Sequence, residues 1–97
     1  MTEYVTLPEL KQHLNVDFDD DDEYIKGLVI PVQLEIEAYL NNPLESYVKD
    51  GEIDRRIWHA IRIEVADFYA NRESITFAKP ELLNTVVRLL QPLKRYE

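Results

Sequence analysis

Ile25, Leu28, Val29, Val32, Ile36, Tyr39 and Leu40 recur at spacings of three and four residues. That pattern aligns their side chains on one face of an α-helix and on neither face of a strand. A helix of this length with a continuous apolar stripe needs an apolar partner. The sequence supplies one further on, where Ile57, Ala60, Ile61, Val65, Phe68 and Tyr69, joined by Trp58, repeat in the same way. The fold is therefore read as all-α, with these two long helices at its centre.

Two shorter helices flank them. Thr6-Leu7-Pro8-Glu9 has the S/T-x-x-E form of a capping box, so a helix is predicted over about Leu7 to Leu14. Pro80 sits where a first helical turn tolerates proline, and Leu82, Leu83, Val86, Val87, Leu89 and Leu90 line a last helix that Pro92 stops. The long helices are expected from the acidic run to Leu40 and from about Ile53 to Arg72, the latter with Asn71 as C-cap. Pro31 lies inside the first of them and predicts a kink or break near Gly27–Pro31. Leu44 to Gly51 reads as a loop or a short irregular piece, with a turn at Asp50-Gly51. Ser74 to Lys79 reads as an extended connector. The expected architecture is one four-helix domain over residues 1–97, with two long and two short helices.

Before the first long helix, six acids fill seven positions, Asp17 and then Asp19 to Glu23. An EF-hand calcium loop fails here. Counted from Asp17, its glycine position holds Asp22 and its last ligand position holds Leu28; counted from Asp19, those positions hold Tyr24 and Ile30. A helix start needs only what is present. Carboxylates stabilise the positive end of the helix dipole by about 0.3–1 kcal/mol each at exposed sites, and Asp20 with Glu23 three residues later suits an N-cap pair. Crowded acids repel one another, so part of the run exceeds what capping uses. That surplus is either a solvated face or a surface that meets or avoids something charged.

Charge is unevenly spread. Of the net charge of −8, residues 1–50 carry 12 acids against 3 bases, and residues 51–97 carry 7 acids against 8 bases. A negative half and a near-neutral, arginine-bearing half suit head-to-tail contact between copies. The candidate interface residues are Asp19, Asp20, Asp21 and Asp22 on one copy against Arg55, Arg56 and Arg72 on another. Phosphate binding through a basic groove is disfavoured by the overall acidity.

Catalytic and ligand constellations are poor. There is no cysteine, which removes disulfides and thiolate metal sites. His13 and His59 are far apart in sequence and read as surface residues. Ser46 and Ser74 lack a nucleophile-elbow setting, and two glycines cannot form a phosphate-cradling loop. No catalytic, cofactor or metal site is expected. The first ten residues lack the basic start and apolar centre of a signal peptide, and no apolar run reaches the roughly 20 residues that span a bilayer.

Several short motifs occur in a familiar order. They are Leu7-Pro8-Glu9-Leu10-Lys11-Gln12-His13-Leu14, the run Asp17 to Asp22, Ile36-Glu37-Ala38-Tyr39, Tyr69-Ala70-Asn71-Arg72-Glu73 and Leu89-Leu90-Gln91-Pro92. Together they resemble the small phage head–tail connector family, also labelled DNA-packaging proteins. Pro31 and the ending Leu93-Lys94-Arg95-Tyr96 are departures from its usual pattern. The resemblance implies an all-α structural virion protein without enzymatic activity. Such a protein forms a homo-oligomeric ring, dodecameric on the portal, lets DNA pass without specific binding, and accepts a tail or stopper protein. It implies location in the virion, and in the host cytoplasm during assembly, whether the source is a phage or a prophage. The rival reading is an acidic binding module, such as a DNA mimic or an inhibitor of a host nucleic-acid enzyme.

Overall fold

The computed structural model describes residues 2–70 and 83–95. Four helices follow one another: α1 (Leu7–Leu14), α2 (Asp22–Leu40), α3 (Arg55–Ala70) and α4 (Asn84–Leu90). Two are long and two short, as the periodicity requires. Between α2 and α3 lie a 3-10 turn (Leu44–Tyr47) and a two-stranded hairpin, β1 (Val48–Lys49) and β2 (Glu52–Ile53); a second 3-10 turn (Gln91–Leu93) follows α4.

The capping box of α1 forms on both sides. The Thr6 hydroxyl accepts from the Glu9 N–H at 3.3 Å, and Glu9 Oε1 accepts from the Thr6 N–H at 2.9 Å. That backbone hydrogen bond holds the Glu9 carboxyl below its ordinary range. The helix ends at Asn15 in the left-handed region (φ 59°), and α2 ends in the same way at Asn41 (φ 56°). Asparagine tolerates that conformation better than other side-chain-bearing residues.

At the start of α2 the cap is Asp21, one residue later than expected, and it makes no side-chain capping bond. Its carbonyl accepts from the Ile25 N–H at 2.9 Å. The helix then runs unbroken through Pro31 to Leu40. Its inner face, Ile25, Val29, Val32, Ile36 and Leu40, packs with Ile57, Ala60, Ile61 and Val65 of α3; each is 1% exposed or less. Leu10 of α1, Val86 and Leu90 of α4, and Val5, Leu44 and Ile53 complete the cluster. Burying side chains of this size stabilises by about 1.5–3 kcal/mol each, an upper range.

The stretch expected to be a loop contains the hairpin. Asp50 (φ 55°) and Gly51 (φ 81°) both take positive φ, which is the requirement of a two-residue type I′ turn. Val48 pairs with Ile53. Ile53 therefore belongs to β2, and α3 begins two residues later than the sequence reading placed it. Asp54 carries the chain into α3: its carbonyl accepts from Ile57 and Trp58, and its Oδ1 accepts from the Arg56 N–H at 2.9 Å. Leu83 is extended (ψ 147°), so α4 starts at Asn84 and does not continue from upstream. The expected helix start at Pro80, the cap at Asn71 and the connector Ser74 to Lys79 lie outside the described residues. Leu83 donates its N–H to Glu64 Oε1 at 2.8 Å. Glu64 is 2% exposed, and burial raises its carboxyl.

Both ends of the described chain close on α2. Fully buried Gln33 accepts from the Tyr4 N–H (2.8 Å) and donates to the Thr2 carbonyl (2.7 Å), reproducing the pairing of a neighbouring strand with one side chain. At the far end the Arg95 N–H reaches the Leu40 carbonyl at 2.8 Å, and the Tyr47 hydroxyl donates to the Leu93 carbonyl at 2.7 Å.

Helices α1 and α3 share one guanidinium. Arg62 Nη2 lies 2.9 Å from His13 Nδ1, and Nη1 lies 3.2 Å from His59 Nδ1. A guanidinium only donates, so both Nδ1 atoms accept, and this geometry needs both imidazoles unprotonated there. The same guanidinium stacks over Trp58, with Cζ 4.3 Å from the ring centroid. Partial burial, then Arg62, then His59, push the His13 imidazole below its ordinary range.

Two expectations follow. Gln33→Leu should leave the Tyr4 N–H and Thr2 carbonyl without these partners and cost about 1–3 kcal/mol in chemical denaturation; a change within error would show that Gln33 does not hold the N-terminal segment. The depressed His13 pKa contributes stability that is present above the ordinary imidazole value of about 6.5 and lost as pH falls through the depressed folded value. Glu64, with a raised carboxyl, acts in the opposite sense and gains on acidification. The two separate in a comparison of melting temperature against pH for the wild type and His13→Gln: the variant should lose less stability between pH 7.5 and 5.5. Parallel curves would mean the bridge does not respond to acid.

Candidate functional site

The acidic run is anchored from two sides. Lys11 Nζ reaches from α1 to Asp19 Oδ1 at 2.6 Å and to Asp22 Oδ1 at 2.9 Å. These contacts raise the Lys11 ammonium, and the hydrogen bond to Asp19 lowers the Asp19 carboxyl. Asp21 Oδ2 accepts from the Tyr69 hydroxyl at 2.6 Å, tying the run to the last turn of α3. Tyr24 packs beside Tyr69, with ring centroids 6.3 Å apart. Asp17, Asp20 and Glu23 are exposed, and Phe18 stands among them at 52% exposure. Half of the run thus has a job inside the chain: Asp19 and Asp22 fix the α1–α2 corner, and Asp21 fixes the α2–α3 corner. The surplus anticipated from the sequence is Asp17, Asp20 and Glu23.

The arginines sit elsewhere. Arg55 and Arg56 open α3 and are exposed. Because Tyr69 in the last turn of α3 meets Asp21 just before α2, the two long helices run antiparallel. A 16-residue helix therefore separates Arg55 from the acidic end by about 20 Å. Within one copy the proposed pairs do not meet, and the carboxylates and guanidiniums stand at opposite ends of the α2–α3 pair. Arg56 is forked onto Asp54, with Nε to Oδ1 and Nη2 to Oδ2 both at 3.2 Å, which lowers the Asp54 carboxyl. The Arg55 guanidinium lies 4.3 Å from the Trp58 ring centroid, so Arg55 and Arg62 share one indole. Arg72 lies outside the described residues.

A cleft between the N-terminal segment, the hairpin and α3 is lined by Glu3, Glu9, Glu45 and Glu52, with Arg55 and Trp58. Neither histidine lines it; they face Arg62 beside α1. Among the described residues no group of three or more histidines, aspartates or glutamates could hold a metal ion, and no helix is long and apolar enough to cross a membrane.

Sequence reasoning missed three features. The Arg62 bridge between two histidines 46 residues apart left no pattern, because α1–α3 packing creates it. The Gln33 clamp had a faint signal, a glutamine at a core position of the α2 pattern. The outward face of α2 had a plain one: Gly27, Pro31, Leu34 and Ala38, at spacings of four, three and four, are the exposed residues between Gly27 and Leu40, and none is charged.

No curated protein and no solved structure matches the chain. A family model does: residues 4–93 match that of the phage gp6-like head-tail connector protein. The match covers all four helices, from Tyr4 to Leu93. It agrees with a mostly helical chain whose polar clusters tie corners together, and the chain belongs to the phage gp6-like head-tail connector family, a structural and non-enzymatic one.

Proposed function

We propose that this chain acts as one connector domain of the virion, a ring subunit seated below the portal through which DNA passes and to which a tail or stopper protein attaches. The reading rests on family membership. The single structural observation that favours it is that the exposed carboxylates of the acidic run and the exposed Arg55 and Arg56 stand at opposite ends of antiparallel α2 and α3. A contact that joins unlike ends is heterologous, and it gives a ring when its rotation closes. In this proposal the acidic end of one copy, Asp19 to Asp22 with Asp17 and Glu23, meets Arg55 and Arg56 of the next. Arg56 arrives pre-oriented by Asp54. Exposed acids that face the lumen would repel passing DNA and keep it from sticking. The rival, an acidic module that competes with DNA for a basic protein, draws on the same charge and needs no assembly of copies.

The test is light-scattering mass after size exclusion, alone and with portal, at low and high salt. The expected result is a discrete mass of many subunits, twelve in the dodecameric case, that falls in high salt as screening weakens the contact. Arg55→Glu with Arg56→Glu should remove that mass and leave the far-UV helical signal intact. A small mass under every condition, together with competition against DNA for a basic protein, would replace this reading with the rival one.

A further inference from the structure

In a chain of 19 acids against 11 bases, a half-buried arginine ordinarily finds a carboxylate. Lys11 takes two of them, and Arg56 forks onto Asp54. Lys26, Lys49, Arg55 and Arg88 are exposed, where water serves them. Arg62 is half-buried, yet among the described residues it forms no ion pair. A charge withdrawn from water is costly unless it is paired. Of its five N–H groups, one on Nη2 goes to His13 Nδ1 and one on Nη1 to His59 Nδ1. Both acceptors are neutral. Nε is shielded from solvent and has no acceptor. One further N–H is left on each Nη.

The guanidinium borders a pocket of about 300 Å³, lined also by Glu9, Gln12 and His13 of α1 and Trp58 of α3. That is the lower end of the volumes that hold ligands. The Trp58 ring backs the guanidinium, with Cζ 4.3 Å from its centroid. Glu9 is the carboxylate of the pocket, and its Oε1 is held by the Thr6 N–H and hydroxyl, both at 2.9 Å. The adjoining cleft carries exposed Glu3, Glu45 and Glu52 beside Arg55. An extended polyanion such as a nucleic-acid strand would run into those acids. A single small oxyanion would not.

Protons decide whether the guanidinium is free. With both imidazoles neutral, their lone pairs occupy Nη1 and Nη2, and Arg62 is served from within the chain. A proton on each Nδ1 turns both acceptors into donors. Three cationic groups then face one another with no acceptor between them. Partial burial, Arg62 and His59 already resist that proton on His13. An oxyanion removes the conflict, because its lone pairs accept from the guanidinium and from imidazolium N–H groups. We propose that Arg62, His13 and His59 form a proton-gated site for one small oxyanion, a sulfate, a phosphate or the carboxylate of another chain. The site does not rest on the ring reading.

The chain has two histidines, so proton NMR on untagged protein follows each imidazole through its titration, with His13→Gln and His59→Gln to assign them. The titration is run in sodium sulfate and in sodium chloride at equal ionic strength. Sulfate should raise the His13 and His59 midpoints by about one pH unit over chloride, the size of shift that a nearby opposite charge gives. By linkage, sulfate then binds roughly tenfold tighter for each such imidazole protonated. Equal midpoints in the two salts overturn the proposal, since only screening is then at work. Arg62→Gln should erase the sulfate effect with its far-UV helical signal unchanged. A folded Arg62→Gln that keeps the full effect also overturns the proposal, and the wild-type comparison decides it if that variant does not fold. A dilution series in chloride separates the sources of the oxyanion. Midpoints that rise with protein concentration, and cease to do so in Asp17→Asn/Asp20→Asn, assign it to a carboxylate of another copy. Midpoints independent of concentration, with the sulfate effect present, assign it to a free ion.

Discussion

Everything in this chain hangs on the packing of α2 against α3. The inner stripe of α2 and the stripe of α3 bury against each other, and each smaller element is placed by what it adds to that pair. Helix α1 contributes Leu10 and α4 contributes Val86 and Leu90. The hairpin joins the near ends of the long helices, and the acidic corner joins the far ends through Asp21 and Tyr69. The antiparallel arrangement is also what carries the acidic run and the Arg55–Arg56 pair to opposite ends. The packing that stabilises the chain thus also sets its charge polarity along α2 and α3.

The polar clusters look functional in the sequence, and in the structure about half of their residues work as joinery. Asp19, Asp21 and Asp22 hold corners, and Lys11 is shared between two of them. Arg62 binds two imidazoles and an indole, and Glu64 receives the chain at Leu83. Each such contact fixes an angle between helices that apolar contact leaves loose. Among the described residues, Asp17, Phe18, Asp20 and Glu23 at one end, Arg55 at the other, and the uncharged face of α2 are exposed.

Most of the helical fold was legible because its periodicity is strong. Ile25 to Leu40 and Ile57 to Val65 admit little else, and the Thr6–Glu9 box marked a boundary that the structure keeps. What was not legible depends on tertiary context. Asp20 and Asp21 are equally good caps in isolation, and the hydroxyl of Tyr69 arrives at Asp21. Asp50-Gly51 was recognised as a turn, but strands of two residues carry too little pattern to announce a hairpin. Pro31 predicted a kink or break, and the helix continues through it; the surrounding core, from Val29 to Ile36, holds it helical. The candidate interface was legible as charge alone, because charge is visible in sequence and its division into paired and exposed members is not.

The Arg95–Leu40 hydrogen bond has a consequence for synthesis. It joins residues 55 positions apart and closes the C-terminal end of α2 with the last described residue of the chain. At about 5–20 residues per second, a ribosome makes the second partner roughly 3–11 seconds after the first. During that interval the C-terminal carbonyls of α2 and the ring of Tyr39 lack the cover that the tail later gives them. A nascent chain therefore completes this end of α2 only after Arg95 has been made, long after the helix itself can form.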